Sequence, residues 1–384
     1  MTNCFLIKNK VIVFGSNNLN FLGIVRSLGE KHIKPICVLL SLDHGYVFDS
    51  KYPSKCVYAD SMEDGLDYIV QNYNNEKVKP IILPSEDNTS SYVDLHYGEL
   101  RDKYYIHNGR ENGRITYFMD KVNISILAEK YGFKIPKYWL YSKENNDISQ
   151  VEYPCFVKAD KSLNGFKKAE EVCYNRNDLQ TFVENNDFQN LVIQKYIDKK
   201  DELCCQGFSI NGGEEIYIPF HETFLQYTKK AFGGYVVLKP NVDYERDSKI
   251  KSILREISYT GLFSAEFLID KNGDYYFTEI NLRNDGFSYF ATAGGANLPF
   301  LFCRSLINGH IDVSDVVLKD KVVGLNEHYY FNQTVRYGEE SIFGFIWKFL
   351  TADSHLLSNK YDKGPFFSYI RQLVKNKMMQ KTSI

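Results

Sequence analysis

The sequence lacks several features that would assign it to a protein class directly. Its 384 residues contain no apolar run near the roughly 18 residues of a membrane span, and the N-terminus has no basic segment before a long apolar core, so we expect neither an integral membrane segment nor a signal peptide. A formal net charge of −2 gives no electrostatic reason to expect a nucleic acid partner. The eight cysteines show no C-x-x-C spacing, which favours reduced thiols in the cytoplasm over disulfides or a zinc site.

The N-terminal part has no G-x-G-x-x-G and no P-loop, although it alternates between predicted strands and helices. Apolar runs at 10–15, 35–40 and 81–83 predict buried strands, and the segments 20–31 and 61–73 predict helices. This alternation indicates an α/β domain. The polar stretches at the strand ends, 15–18 and 84–88, are either ordinary turns or one wall of a small-molecule pocket.

The most informative stretch is residues 261–286, which forms two alternating apolar runs around Asn272-Gly273. That dipeptide predicts a two-residue hairpin turn. The resulting register sets Glu266 opposite Glu279 and Ser264 opposite Asn281. Period-two alternation then predicts one apolar face and one polar face. The predicted apolar face consists of Phe263, Ala265, Phe267, Ile269, Tyr276, Thr278, Ile280 and Leu282.

Two carboxylates directly opposite each other, with Cβ atoms about 5 Å apart, repel unless a cation compensates them. Glu266, Glu279 and Asn281 offer an all-oxygen ligand set that suits Mg²⁺ or Mn²⁺, and Mg²⁺ often completes its shell with substrate phosphates. Arg283 follows on the same face, where it could meet a phosphoryl oxygen. The alternative is an exposed hairpin face whose charges are simply solvated.

Glu266, Glu279-Ile280-Asn281 and Arg283 together resemble the metal-binding end of the ATP-grasp family. The resemblance implies that these two acids and the asparagine hold magnesium ions bridging the phosphates of ATP. It also implies that Arg283 is catalytic and stabilises acyl-phosphate chemistry.

Other segments match the family in the same order along the chain. Asp120-Lys121 opens a predicted helix that ends at Gly132, and the resemblance makes Lys121 a phosphate ligand. Lys158 ends an apolar strand, where the family places a phosphate-binding and catalytic lysine. Residues 160–171 correspond to the loop that covers the phosphates, but this loop has only one glycine, Gly165, and offers Lys161, Lys167 and Lys168 instead. Without the family, Lys121 is an ordinary solvated lysine.

The strand at 191–197 corresponds to the hinge whose backbone meets the adenine. The implied nucleotide-binding residues there are Gln194, Lys195, Tyr196 and Ile197, and Glu202 is preferred to Asp201 as the ribose ligand. A charged hairpin connection is the alternative. Further on, the small residues at 294–297 could let backbone N–H groups approach a substrate carboxylate.

The implied fold is an α/β N-terminal, Rossmann-like pre-ATP-grasp domain followed by a two-lobed α+β ATP-grasp domain. The predicted boundaries are 1–112 for the N-terminal domain, 113–195 for the nucleotide-binding lobe, 196–310 for the metal-binding lobe and 311–384 for a C-terminal helical extension. We expect this extension to pack as a cap, with an amphipathic helix on a membrane surface as the alternative.

The resemblance implies an ADP-forming ligase that joins a small carboxylate to an amine with ATP and Mg²⁺ or Mn²⁺. The layout is most similar to ligases that use an amino acid such as aspartate in bacterial surface-polymer synthesis. The alternatives are a dipeptide or purine-type ATP-grasp ligase and a non-catalytic ATP-binding module. A homodimer is compatible with the sequence, which does not determine the oligomeric state.

Overall fold

A parallel four-stranded sheet forms near the N-terminus of the computed structural model, which describes residues 7–40, 46–144, 147–159, 170–186, 190–226 and 234–382, with side chains to 375. Its strand order is β3-β2-β1-β4. The strands are β1 (Val11–Gly15), β2 (Ile36–Leu39), β3 (Lys55–Tyr58) and β4 (Ile81–Pro84). Every residue of β1, β2 and β4 is buried, as expected for strands covered on both faces.

Helices connect these strands and follow the last of them. They are α1 (Leu19–Gly29), α2 (Met62–Tyr73), α3 (Asp87–Leu95), α4 (Tyr97–Leu100) and α5 (Arg114–Phe118). The S-x-x-D spacing of Ser61 and Asp64 predicts that Ser61 is the N-cap of α2, and this is confirmed, because Ser61 Oγ accepts a hydrogen bond from the Asp64 N–H at 3.0 Å. The Ser61 hydroxyl in turn donates to the Asp64 carboxylate at 2.7 Å.

A second sheet of four strands has the order β5-β8-β6-β7 and is antiparallel throughout. Its strands are β5 (Tyr138–Ser142), β6 (Cys155–Ala159), β7 (Glu171–Cys173) and β8 (Asn190–Lys195). We call it the hinge sheet. Helix α6 (Lys121–Lys130) precedes it and begins where the sequence predicts, with the Asp120 side chain as its N-cap, and α7 (Arg176–Asn185) joins β7 to β8.

The third sheet has seven strands in the order β13-β12-β9-β10-β11-β14-β15. The strands are β9 (Lys199–Ile210), β10 (Glu215–Phe224), β11 (Tyr235–Pro240), β12 (Gly261–Asp270), β13 (Tyr275–Asn281), β14 (Val322–Leu325) and β15 (Ser354–His355). The remaining helices are α8 (Tyr244–Ile257), α9 (Ser288–Ala293), α10 (Leu298–Asn308), α11 (Glu327–Tyr330), α12 (Ile342–Thr351) and α13 (Gly364–Thr382), with a π-helical turn at Phe331–Val335.

The hairpin of β12 and β13 differs from the prediction at its turn. It agrees with the prediction at the opposite end, near Glu266 and Asn281, which we call the functional end. The turn has three residues, because Asp270 pairs with Asp274 and Gly273 adopts a left-handed φ of 87°. The register on this side is therefore one residue from the predicted one. An extra residue at Thr278 restores it, so that Glu266 does face Glu279 and Ser264 does face Asn281.

This bulge also corrects the predicted apolar face. Phe277, rather than Tyr276 or Thr278, enters the core and lies 5.7 Å from Phe267 between ring centroids. Thr278 instead donates its hydroxyl to the Glu266 carbonyl at 2.9 Å.

The description of residues 311–384 as a helical extension is incomplete, because this segment also adds β14 and β15 to the seven-stranded sheet. Strand β14 covers the edge of β11, which would otherwise present unpaired backbone groups. The segment is also anchored to α1 by a buried ion pair, in which Arg26 Nε lies 2.9 Å from Asp362 Oδ2.

The parallel sheet and the seven-stranded sheet share one hydrophobic core. It contains Val13 and Leu83 from the parallel sheet and Phe208, Leu262 and Val236 from the larger sheet. This shared packing holds the strand ends of the parallel sheet against the functional end of the β12–β13 hairpin. Within the described residues no helix is long and apolar enough to cross a membrane, and all cysteines are free thiols.

Candidate active site

The predicted metal ligands meet at the end of the β12–β13 hairpin, on the polar face of the seven-stranded sheet. Asn281 Nδ2 donates to Glu266 Oε1 at 2.6 Å and lies 3.3 Å from Ser264 Oγ. Glu279 faces Glu266 across the two strands. The three predicted ligands are thus one contiguous group of oxygen-bearing side chains.

The electrostatics of this group favour a cation. Burial raises the pKa of Glu266 well above its ordinary value, and the neighbouring carboxylates of Glu279 and Asp285 raise it further. The described residues contain no set of three or more His, Cys, Asp or Glu side chains arranged to hold a metal ion. The group here has two carboxylates and an amide, which fits Mg²⁺ completed by phosphate and water oxygens. Glu266, Glu279 and Asn281 are the residues that would hold it.

Arg283 connects this group to the parallel sheet. Its Nε lies 3.0 Å from Asp87 Oδ1, at the start of α3, and its Nη2 donates to Asn281 Oδ1 at 2.9 Å. Burial alone would lower the pKa of Arg283, but the carboxylates of Asp87 and Asp285 raise it. The guanidinium therefore stays charged and orients the amide oxygen that we assign to the metal.

Residues near the strand ends of the parallel sheet contribute further contacts at this site. Asn284 Nδ2 donates to Asn20 Oδ1 at 2.5 Å, and Asn20 Nδ2 donates to the carbonyl of Ser85 at 2.6 Å. Ser90 Oγ donates to the Leu282 carbonyl at 3.0 Å. These bonds fix the two sheets relative to each other at the site.

Lys158 lies at the end of β6 and is 7% exposed. Burial, then the positive charge of Lys121, lowers its pKa to about 8, while Glu279, Glu170 and Glu266 oppose that shift. The interactions with Lys121, Glu266 and Glu279 show that residues from α6, β6 and the hairpin converge. A buried cation beside these carboxylates is suited to binding phosphate.

Two of the predicted hinge residues already use their backbone N–H groups in hydrogen bonds within the protein. The N–H groups of Lys195 and Tyr196 donate to the carbonyls of Lys137 and Pro154, at 2.7 and 3.0 Å. Gln194 is buried within the hinge sheet, whereas the Lys195 side chain is exposed and pairs with Glu152. Of the predicted adenine contacts, only Ile197 has a backbone N–H that donates to no main-chain carbonyl of the described residues.

Of the two candidate ribose ligands, Glu202 is the buried one. It is 8% exposed and forms an ion pair with Lys199, and burial raises its pKa. Asp201 instead accepts the N–H of Glu202 at 2.8 Å. Burial within β9, on the face that carries the hairpin carboxylates, favours Glu202 over Asp201.

Two further predicted features are not part of the described site. The N–H groups of Gly294, Gly295 and Ala296 donate to carbonyls of α9, so they are not available to a substrate carboxylate. This corrects the prediction for 294–297; the helix end takes those donors. The phosphate-covering loop at 160–169, with Lys161, Gly165, Lys167 and Lys168, lies outside the described residues.

Sequence reasoning missed a second group of polar side chains beside the first. Gln206 Nε2 donates to Glu222 Oε2 at 3.0 Å and to Asp285 Oδ1 at 3.2 Å. Asp285 also accepts the Ser264 hydroxyl at 3.0 Å. The only available sequence signal was the alternation of β9 and β10, which does not reveal that these strands adjoin the hairpin.

Comparison with known proteins finds sequences and structures that are similar to this chain. No family model matches the chain. The chain is 24% identical over 330 residues to D-aspartate ligase of Enterococcus faecium, covering 75% of this chain and 74% of that protein. It is 25% identical over 189 residues to an N5-carboxyaminoimidazole ribonucleotide synthase of Staphylococcus aureus, about half of either chain (48% and 49%).

Solved structures agree on the fold. The S. aureus N5-carboxyaminoimidazole synthetase complexed with ADP superposes with a TM-score of 0.67 at 17% identity, covering 88% of each chain. An L-amino acid ligase from Bacillus licheniformis gives a TM-score of 0.64 at 13% identity, covering 83% of this chain and 80% of that one.

The structural neighbours are ATP-grasp enzymes, so the chain has an ATP-grasp fold. Its sequence relatives and structural neighbours are ADP-forming ATP-grasp ligases that make carbon–nitrogen bonds, and this is the class of enzyme that the chain resembles.

Proposed function

We propose that the protein activates the carboxylate of an amino acid, such as aspartate, with ATP and joins it to an amine through an acyl phosphate. The observation that carries this proposal is the opposed pair Glu266 and Glu279 with Asn281, which lies near the buried Lys158 of the hinge sheet. The similarity to D-aspartate ligase over three quarters of the chain supports aspartate as the first substrate to test.

The reaction proceeds in two steps. A carboxylate oxygen attacks the γ-phosphorus of ATP, and ADP leaves with the electrons of the broken P–O bond. The lone pair of a free amine then attacks the acyl carbon, phosphate leaves, and the amine nitrogen releases one proton to solvent. Mg²⁺ held by Glu266, Glu279 and Asn281 would offset the phosphate charge.

The chain's own residues position and neutralise the reactants. Lys158 and Lys121 bring positive charge to the phosphates, and Arg283 stabilises the transferring phosphoryl group once it shares its donors with that group. Arg283 is bonded to Asn281 and Asp87 in the free protein, which holds its guanidinium in place before substrate arrives. Glu202 and the backbone at Gln194–Ile197 would hold the ribose and the adenine.

The domain assignment belongs to this proposal: 1–112 would supply substrate contacts, 113–195 and 196–310 would grip ATP, and 311–384 would cap them. A role in bacterial surface-polymer synthesis, which the sequence resemblance implies, is equally a proposal. The match to N5-carboxyaminoimidazole ribonucleotide synthase makes bicarbonate the main competing carboxylate.

The test is ADP release with MgATP against a panel containing D-aspartate, L-aspartate, other amino acids and bicarbonate, with hydroxylamine as a surrogate amine. We expect ADP and a hydroxamate with one amino acid, and neither product with Glu279→Gln. ADP formed with bicarbonate alone would favour the carboxylating alternative. MgATP binding without turnover on any carboxylate would contradict the ligase proposal and favour a nucleotide-binding module.

A further inference from the structure

A third glutamate stands in the same row of the seven-stranded sheet as the two metal ligands. Backbone pairing aligns Glu279, Glu266, Cys204 and Glu222 across β13, β12, β9 and β10. Adjacent strands are about 4.8 Å apart, so the backbone of Glu222 lies about 10 Å from that of Glu266. The proposed function gives Glu222 no role, although it is only 2% exposed.

The side-chain amide of Gln206 holds the Glu222 carboxylate with a hydrogen bond, and the amide oxygen of Gln206 itself has no donor within the described part of the chain. Its Nε2 donates to both Glu222 and Asp285, at 3.0 and 3.2 Å. The reverse orientation would point the amide oxygen at two carboxylates, which is repulsive, so the amide orientation follows from its neighbours. Gln206 Oε1 is consequently buried without a hydrogen-bond partner among the described residues, although Gln206 is itself only 2% exposed.

Glu222 has two further carboxylates near it, those of Asp285 and Glu266. Burial raises the pKa of Glu222 well above its ordinary value, and Asp285 and Glu266 raise it further. Burial and the same three carboxylates raise the pKa of Cys204, which stands between Glu222 and Glu266. Asp285 is held firmly, because it accepts the Phe287 N–H at 2.7 Å and the Ser264 hydroxyl at 3.0 Å. A cation carrying several N–H donors would satisfy these acceptors together.

We propose that Glu222, Asp285 and Gln206 Oε1 form the subsite that recognises the ammonium group of the amine substrate. A primary ammonium carries three donors, which matches three acceptors. The alignment of Glu222 with Glu266 and Glu279 across the sheet places the bound ammonium beside the proposed metal-binding carboxylates, where the acyl phosphate would form. The inference rests on the proposed function and adds that the second substrate binds as a cation. The ammonium passes one N–H proton to a carboxylate of the subsite, and the free amine that results attacks the acyl carbon with its lone pair.

The probe is n-butylammonium, with n-butanol as its neutral counterpart, in the hydroxylamine-capture assay with the carboxylate found above. Hydroxylamine is largely neutral near pH 7.5, so it does not need an ammonium subsite. We expect n-butylammonium to suppress hydroxamate formation competitively, whereas n-butanol does not. Whatever the rate of each variant, Glu222→Gln and the isosteric Asp285→Asn should each raise the inhibition constant of n-butylammonium about tenfold or more.

Glu214→Gln is the matched control, because Glu214 immediately precedes β10 and is half exposed; its inhibition constant should equal that of the wild type. If n-butylammonium inhibits Glu222→Gln and Asp285→Asn as well as it inhibits the wild type, or if K⁺ at the same concentration inhibits equally, the subsite is wrong and the proposed function stands. If the wild type forms no hydroxamate with any carboxylate, the proposed function itself fails.

Discussion

The metal end of the molecule and the hinge sheet carry their charges in different ways. At the metal end, defined as Ser264, Glu266, Glu279, Asn281 and Arg283, the polar groups are partly or fully buried, and several are bonded to one another and to the parallel sheet. In the hinge sheet, Glu152 pairs with Lys137 and Lys195, and all three side chains are exposed. Burying like charges is costly without a ligand, whereas exposed pairs contribute little. Substitution effects should therefore be concentrated at the metal end.

The largest effect is expected from the metal ligands. Glu279→Ala or Asn281→Ala should reduce ADP release to below about a thousandth of the wild-type rate, because the phosphate charge is no longer offset by a correctly held cation. Lys271→Ala is the control, since Lys271 lies on the turn of the same hairpin and is 70% exposed. Circular dichroism should show the fold retained. Near-normal activity in both ligand variants would contradict the metal assignment.

The next effect concerns the pH dependence contributed by Lys158. Its pKa is lowered to about 8 by burial and by Lys121, so it is charged below that pH and loses its proton above it. The neutral amine cannot offset phosphate charge, so kcat/KM for ATP should fall as the pH rises above about 8, by about tenfold per pH unit at the limit. Lys158→Arg should move this decline to higher pH. An unchanged profile in Lys158→Arg would assign the decline to another group.

A smaller effect is expected where the parallel sheet meets the metal end. Asp87→Asn removes the negative charge that holds Arg283 Nε at 3.0 Å, and should lower kcat about tenfold. Its effect on the KM for ATP should be smaller, since Asp87 acts on Arg283 rather than on the nucleotide. The control is Asp102→Asn, which alters an 83% exposed aspartate of the same region. Equal kcat values for the two variants would remove Asp87 from the positioning of Arg283.

The smallest effect is expected in the hinge sheet. Glu152→Gln removes the partner of Lys137 and Lys195, whose ion pairs lie in solvent. Its thermal unfolding midpoint and its KM for ATP should match the wild type within error, because exposed pairs are screened. A large rise in the KM for ATP would show that Glu152 shapes the hinge, and would break the contrast between the two regions.

Local sequence patterns predicted the elements that carry the site, because they depend on nearby residues. Ser61 caps its helix as the S-x-x-D spacing indicates, and the helix predicted to open at Asp120-Lys121 does begin there. The pairing of Glu266 with Glu279 was right although the turn was wrong, because the extra residue at Thr278 cancels the longer turn. Neither the three-residue turn nor the bulge has a clear signal in an alternating pattern, and either alone would have separated the carboxylates.

Contacts between distant segments were not predictable in the same way. The pairing of Arg283 with Asp87 and the row from Glu266 to Glu222 depend on which strands adjoin, and alternation within a strand does not specify its neighbour. The same reason explains β14, a four-residue strand that pairs with β11 across more than 80 residues of chain. Local patterns therefore predicted that Glu266, Glu279 and Asn281 lie together, but they did not predict the contacts of this group with Asp87 or with the row that includes Glu222.

The central claim is that Glu266, Glu279 and Asn281 bind ATP through a divalent cation. The most direct measurement is the dissociation constant of ATP, by calorimetry, with excess Mg²⁺ and with EDTA, for the wild type, Glu279→Ala and Lys271→Ala. Mg²⁺ should tighten binding markedly in the wild type and in Lys271→Ala. In Glu279→Ala it should have little effect, and metal-free ATP should bind better than it does to the wild type because one repelling carboxylate is gone. An undiminished Mg²⁺ effect in Glu279→Ala would contradict the account.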